Sequence, residues 1–196
     1  MRRDSATRRL ILEAVVTCIE KYGVDRLTTR KIALEAGTNI ASINYHFRSK
    51  DELVAEALSM TINHMLEDVF RAIDDSAQPF ESTLEDVFFY LLDGGLRFPG
   101  ISRAHLYKAV IERDPASAST QAMLKLFEGL SQRAMRAYPA RDPKQLRLII
   151  SRLMSSIMFM LLAPDFFPLA REYRLTGTKN ARVLAASYAR QFRTSI

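Results

Sequence analysis

The chain has a single cysteine, Cys18, and therefore no internal disulfide framework. A lone thiol suits a reducing compartment, and a cytoplasmic location is expected. Glycine and proline number only seven each, which excludes collagen-like and low-complexity chains. No segment alternates apolar and polar residues convincingly at period two, and no internal repeat is visible, so neither a sheet nor a solenoid is expected. The N-terminus MRRDSATRR has no apolar region behind it, so no signal peptide is expected. The most apolar run, Leu153 to Ala163, follows Arg152 and is about half the length needed to cross a bilayer, so no membrane span is expected. The three histidines, His46, His64 and His105, lack metal-ligand spacing, and G-x-S-x-G, P-loop and H-E-x-x-H patterns are absent. No metal, no cofactor and no catalytic residue is expected, and a small helical enzyme is the weakest functional reading.

What is present is apolar material and an uneven charge. Hydrophobic residues make up 48% of the 196, enough for a sizeable core. The formal net charge is +6, yet residues 1–50 hold ten Lys/Arg against five Asp/Glu, so nearly all of the excess sits in the first quarter. That asymmetry fits a polyanion-binding head on a neutral body, although a solvated basic face has the same composition.

Apolar residues at helical spacing predict a first helix through Leu10, Ile11, Ala14, Val15, Cys18, Ile19 and Tyr22, capped by Asp4 or Ser5 and closed by Gly23. Thr28 or Thr29 opens a short second helix to Ala36, with Gly37 suited to a left-handed turn. Asn39 caps a third helix to about His46. Ser49-Lys50-Asp51-Glu52 fits a capping box opening a long fourth helix to about Asp75. A second capping box at Ser82 to Glu85 opens a helix to about Phe98. Others follow over Ile101–Arg113, Ser119–Tyr138, Asp142–Ala163 and Thr178–Phe192, with Pro164 and Pro168 marking a loop. The fold class is all-α, with about nine helices, divided into a basic head over 1–50 and a helical body over 51–196.

Two short helices joined by a glycine turn form a helix-turn-helix, whose second helix enters the major groove of DNA. Ala41 and Ser42 keep the tip of that helix slim. Ala41 can touch a thymine methyl, and Ser42 and Asn44 can hydrogen-bond base edges. Tyr45 and His46 can reach phosphates or sugars, although His46 beside Phe47 also reads as a partly buried structural histidine. Lys50 at a helix start suits a phosphate, as do Thr29, Arg30 and Lys31. Arg2, Arg3, Arg8 and Arg9 read either as a basic arm or as a solvated tail.

The array Leu27-Thr28-Thr29-Arg30-Lys31-Ile32-Ala33, Ala36-Gly37, Ile43-Asn44-Tyr45-His46-Phe47 and Ser49-Lys50-Asp51-Glu52-Leu53 resembles the DNA-binding domain of TetR-family transcriptional regulators over roughly residues 8 to 55. It departs from the usual pattern at Thr38, where an apolar residue is common, and at Asn44, where tyrosine is common. The resemblance implies an all-helical homodimer whose three N-terminal helices bind DNA and whose C-terminal region binds a small inducer. It also implies DNA contacts by Thr29, Ala41, Ser42, Asn44, Tyr45, His46 and Lys50.

In the remaining chain, aromatics and methionines such as Tyr90, Phe98, Phe159, Phe166 and Phe167 supply bulk, most of it core. A largely apolar pocket between helices is expected from Phe88, Phe89, Leu92, Leu96, Tyr107, Met123, Phe127 and Met154, with His64 and His105 as candidate polar handles. The helix over Leu146 to Leu162 is apolar on more than one face. With Leu184 and Tyr188 of the last helix, its Ile150, Leu153, Ile157, Met158 and Leu161 are expected to build a dimer interface. A central core helix of a monomer is the other reading. The functional expectation is a sequence-specific DNA-binding regulator, a homodimeric repressor released from a pseudo-palindromic duplex operator by a small molecule. A DNA-binding or architectural protein without an inducer is the alternative.

Overall fold

A computed structural model describes residues 2–75, 77–166 and 178–196. The expectations for Phe167 and for a loop at Pro168 lie outside the described residues. Among the described residues there are nine α-helices and no strand: α1 (Arg2–Tyr22), α2 (Thr29–Glu35), α3 (Ile40–His46), α4 (Lys50–Asp74), α5 (Phe80–Arg97), α6 (Pro99–Leu106), α7 (Ala118–Ala137), α8 (Pro143–Leu162) and α9 (Thr178–Ser195).

Local chemistry sets many of the boundaries. The side chains of Thr28, Asn39, Ser49 and Asp142 accept from the backbone N–H groups of Lys31, Ser42, Glu52 and Lys144, satisfying donors that the first turn leaves open. The turn after α2 is a Schellman motif. Gly37 stands at φ 63°, its N–H donates to the Leu34 carbonyl at 3.2 Å, and the Thr38 N–H donates to Ala33 at 2.9 Å.

Three boundaries differ from expectation. Helix α1 starts at Arg2 rather than after Asp4, so residues 2–9 are neither arm nor tail. The Arg8 guanidinium pairs with Glu56 on α4 and lies 5.0 Å from the centroid of the Phe47 ring, while Arg9 pairs with Glu13. Helix α5 starts two residues before the Ser82 box. Pro79 presets the backbone, and Phe80 is buried against Tyr138 and Phe192, so core packing outweighs the local cap. The expected helix over Ile101–Arg113 is interrupted. After α6 the chain makes a π-helical turn over Tyr107–Ile111, closed by the Glu112 N–H to the Tyr107 carbonyl, and Arg113 sits at φ 51°.

The apolar residues form two clusters. One unites Ile11, Val15, Cys18 and Ile19 of α1 with Leu27, Ile32, Ile43 and Phe47, and draws in Leu53 to Leu58 of α4 and Ile101 and Ala104 of α6. The larger one joins α4, α5, α7, α8 and α9 around Phe88, Leu92, Leu126, Ile150 and Phe192. The two meet along α4 and α6. Helix α8 as a whole has the length and composition to cross a membrane, which the run Leu153–Ala163 alone does not. Its Leu146, Ile149, Ile150, Leu153, Met154, Ile157, Met160 and Leu161 are instead buried against the chain's own α5, α6, α7 and α9, as in a core helix.

Arg133, on the buried side of α7, reaches the connection between α4 and α5. Its guanidinium donates to the Gln78 carbonyl at 2.8 Å and to the Asp75 carbonyl at 3.4 Å. Truncation removes charge-assisted bonds that tie α7 to the α4–α5 connection and empties the space that the buried Arg133 side chain fills. Arg133→Ala is therefore expected to lower the unfolding free energy by about 2 kcal/mol. Urea titration of both proteins measures this directly.

Candidate nucleic-acid interface and ligand cavity

Helix α3 is held from one side only. Ile43 and Phe47 are buried beneath it, and the opposite face carries Ala41, Asn44 and Tyr45, with Tyr45 77% exposed. Ser42 is half-buried at the capped first turn. The tip facing solvent thus has a methyl, an amide and a phenol side by side, with no bulky aliphatic between them. Ile40 is partly exposed at its start, and Leu34 on α2 is 84% exposed. Leu34 was missed in the sequence, because an apolar residue in an amphipathic pattern gives no sign of facing outward.

Exposed cations stand on the segments that flank α3 in the chain, Arg26 and Arg30 before it and Arg48 and Lys50 after it. Arg26, Arg30 and Arg48 form no ion pair with any described residue, and Lys50 makes only a long contact, 3.5 Å from Nζ to the Leu27 carbonyl. Lys31 is less available. Its Nζ donates to the Arg26 carbonyl at 2.7 Å and lies 4.5 Å from the centroid of the Tyr22 ring. Thr29 is half-buried beside the exposed Arg30. Acids of the head are partly neutralised internally: Glu35 by Lys21, and Glu13 by Arg9.

The His46 side chain is only 7% exposed. It lies between Tyr45 and Phe47, with Nε2 3.7 Å from Asp4 on α1. Of the two sequence readings, the partly buried structural histidine matches this placement, and a phosphate contact does not. His46 links the third helix to the first.

A cavity of about 430 Å³ lies between α4, α5, α6, α7 and α8. Phe89 and Met123 line it as expected, and so do the two handles, His64 and His105. The other expected wall residues lie elsewhere. Phe88, Leu92 and Met154 are in the core, Leu96 packs against it, Phe127 stacks under Arg147, and Tyr107 lines a separate cleft between head and body. Met158 and Leu161, expected at a dimer interface, line this cavity instead. Ile150, Leu153, Ile157 and Tyr188 are buried within the chain, and Leu184 packs on the same core. The exposed apolar residues of α8 and α9 are Leu148, Phe159 and Val183.

The polar wall has an internal logic. His105 is bonded at both ring nitrogens, Nε2 2.9 Å from Thr61 Oγ1 and Nδ1 2.8 Å from Ser119 Oγ. The Thr61 hydroxyl donates to the Leu58 carbonyl, so it accepts from Nε2–H, and Ser119 donates to Nδ1. Burial pushes the His105 pKa down to about 4, consistent with this neutral tautomer. Burial and the Asp68 carboxylate push the Tyr90 phenol up to about 12, with its O–H donating to Asp68 at 2.5 Å. Among the described residues no group of three His, Cys, Asp or Glu could hold a metal ion.

One joint links this cavity to the head. The carboxylate of Glu20 on α1 accepts from the backbone N–H groups of Gly100 and Ile101 at 3.1 Å each, in the first turn of α6. A Cβ on Gly100 would lie 2.9 Å from the Glu20 Cα and the Ile19 carbonyl, so the two backbones touch there. Helix α6 then carries Ile101, Ser102 and His105 into the cavity wall. No sequence signal connects Glu20 to Gly100 across 80 positions.

Residues 11–57, from the core of α1 through α3 into α4, match the family described as bacterial regulatory proteins of the tetR family. The whole described fold also agrees with a solved TetR-family transcriptional regulator from Mesorhizobium loti. The TM-score is 0.74 at 16% identity, covering 98% of this chain and 97% of that one. Over residues 11–57 the chain thus resembles the DNA-binding region of the tetR family. A curated relative, the HTH-type nicotine-responsive transcriptional repressor HdnoR of Paenarthrobacter nicotinovorans, is 29% identical over 69 residues. That match covers 35% of this chain and 36% of the repressor's own length. The fold also resembles the regulator FadR of Bacillus subtilis in complex with stearoyl-CoA, with a TM-score of 0.68 at 14% identity over 96% and 98% of the two chains.

Proposed function

We propose that this chain is a TetR-type regulator, a cytoplasmic, sequence-specific DNA-binding repressor that acts as a homodimer on a pseudo-palindromic duplex operator and is released by a largely apolar small molecule. The reading rests on one observation above the rest: the outward face of α3 is slim and hydrogen-bonding, and the segments flanking it carry exposed cations. That is the combination a major-groove reader needs, with Ala41, Ser42 and Asn44 at base edges and Tyr45, Thr29 and Lys50 at the backbone. Residues 1–50 are the head and 51–196 the ligand and dimer region. Leu148, Phe159 and Val183 give the outer surface of α8 and α9 an apolar character suited to a second copy. A repressor among the relatives of the head, and a ligand-bound regulator among the relatives of the fold, favour the same reading.

The control step follows from the Glu20 joint. A ligand that fits one arrangement of α6 better than another biases α1, and through it the separation of two recognition helices.

The test is binding to an operator selected from random duplexes, followed by fluorescence anisotropy. Affinity falls steeply with salt. Lys50→Ala weakens operator and random DNA alike, by roughly threefold to tenfold, whereas Asn44→Ala also relaxes base preference by about 1–3 kcal/mol at one position. Equal losses on both kinds of DNA for both variants would contradict the assignment.

A further inference from the structure

We infer that the ligand accepted by the α4–α8 cavity carries no net charge, and that the cavity selects against both anions and cations of the same skeleton. The inference rests on the proposed ligand role of this cavity and narrows its chemistry.

The argument is an account of every ionisable or hydroxyl group on the wall. Asp93 and Arg97, one turn apart on α5, pair with each other at 2.5 Å, with side chains 19% and 58% exposed. Both imidazole nitrogens of His105 are occupied by Thr61 and Ser119, so the ring stays neutral and offers no free polar atom. The Tyr90 proton is committed to Asp68, the Thr61 proton to Leu58 and the Ser102 proton to the Gly95 carbonyl. The remaining ionisable group is His64, which is exposed, at the rim. Nearly all the rest is apolar side chain or glycine. A charged ligand would lose its hydration in such a space and find no unpaired counter-charge to replace it. A neutral apolar ligand has no such cost, and the volume is ordinary for a small molecule.

The pairing of Asp93 with Arg97 makes the inference reversible by design. Arg97→Ala leaves an unpaired carboxylate in the wall, and Asp93→Ala leaves an unpaired guanidinium.

The test uses the neutral fluorophore N-phenyl-1-naphthylamine bound to the full chain at pH 8, displaced by decanol, decanoate or decylammonium. Gly94 lines the cavity with open space where its Cβ would stand, so Gly94→Phe should fill the site and Gly94→Ala should not. Loss of the fluorophore in the first variant and retention in the second locates the site, with circular dichroism checking that both fold. Decanol should displace it at concentrations roughly tenfold lower than either ion. Arg97→Ala should improve decylammonium about tenfold, and Asp93→Ala should do the same for decanoate. If either ion matches decanol on the unaltered chain, or if the two variants leave the order unchanged, neutrality is overturned while a ligand cavity stands. If the fluorophore fails to bind, or binds Gly94→Phe undiminished, the ligand role of this cavity falls and the inference falls with it.

Discussion

Acidification from pH 6.5 to pH 4 is expected to remove about 3 kcal/mol of folding stability through His105 alone, and His105→Gln is expected to abolish that share. The folded-state pKa is depressed to about 4 from an ordinary 6.5, because burial disfavours the charged ring. Above pH 6.5 the imidazole is neutral in both states and stability does not change through it. Between 6.5 and 4 the unfolded chain binds a proton that the folded chain refuses, so stability falls as pH falls. Below about 4 both states are protonated and the loss levels off. Glutamine keeps a donor toward Thr61 but leaves the Ser119 hydroxyl without its acceptor, a cost that is the same at every pH. Urea unfolding at several pH values gives the difference curve between the two proteins, in which carboxylate titrations common to both cancel. A variant whose stability tracks the unaltered chain through this window would disprove the burial of a neutral imidazole.

Where a feature depends on neighbours in sequence, it was legible. Asn39, Ser49 and Asp142 read as N-caps, as does Thr28 beside its alternative Thr29, and all four accept such bonds, since a cap needs only a side-chain oxygen and an N–H two or three residues on. Gly37 read as a left-handed position for the same reason. Ser82-Thr83-Leu84-Glu85 carries the same signal as Ser49-Lys50-Asp51-Glu52 but lies inside α5. There Phe80 gains more by entering the core beside Tyr138 and Phe192 than a later start would gain from the cap.

Features that depend on which helix packs on which were not legible. Periodicity placed Phe88, Phe89 and Leu92 on α5 but could not say that Phe89 would line the cavity while its neighbours entered the core. A rotation of one residue about the helix axis exchanges those roles. Helix α8 shows the same ambiguity. Its apolar breadth fits both a surface awaiting a partner and a central core helix, and only the packing of α5, α6, α7 and α9 over Ile150, Leu153 and Ile157 tells which residues are covered by the chain itself. The partners of Asp93, His105 and Arg133 join residues that sequence alone either pairs weakly or does not pair at all.

Severing one of these joints is expected to uncouple the two ends of the molecule. Glu20→Ala removes both acceptors from the first turn of α6, where the Gly100 and Ile101 N–H groups and the positive end of the helix dipole meet the carboxylate. If ligand and operator communicate through α6 and α1, the ratio of operator affinities without and with saturating decanol should fall. The expected drop is from the roughly 5- to 150-fold of ordinary allosteric proteins toward unity. Glu20→Gln retains one acceptor and should lie between. Stability should fall by about 1–2 kcal/mol in the alanine variant, a cost that cannot by itself imitate uncoupling. Linkage makes the experiment self-checking, because operator DNA must alter decanol affinity by the same factor that decanol alters operator affinity. Full coupling in Glu20→Ala would show that the signal bypasses this joint, leaving the α4 connection as the route. Coupling lost together with both separate affinities would mean that Glu20 merely supports the fold.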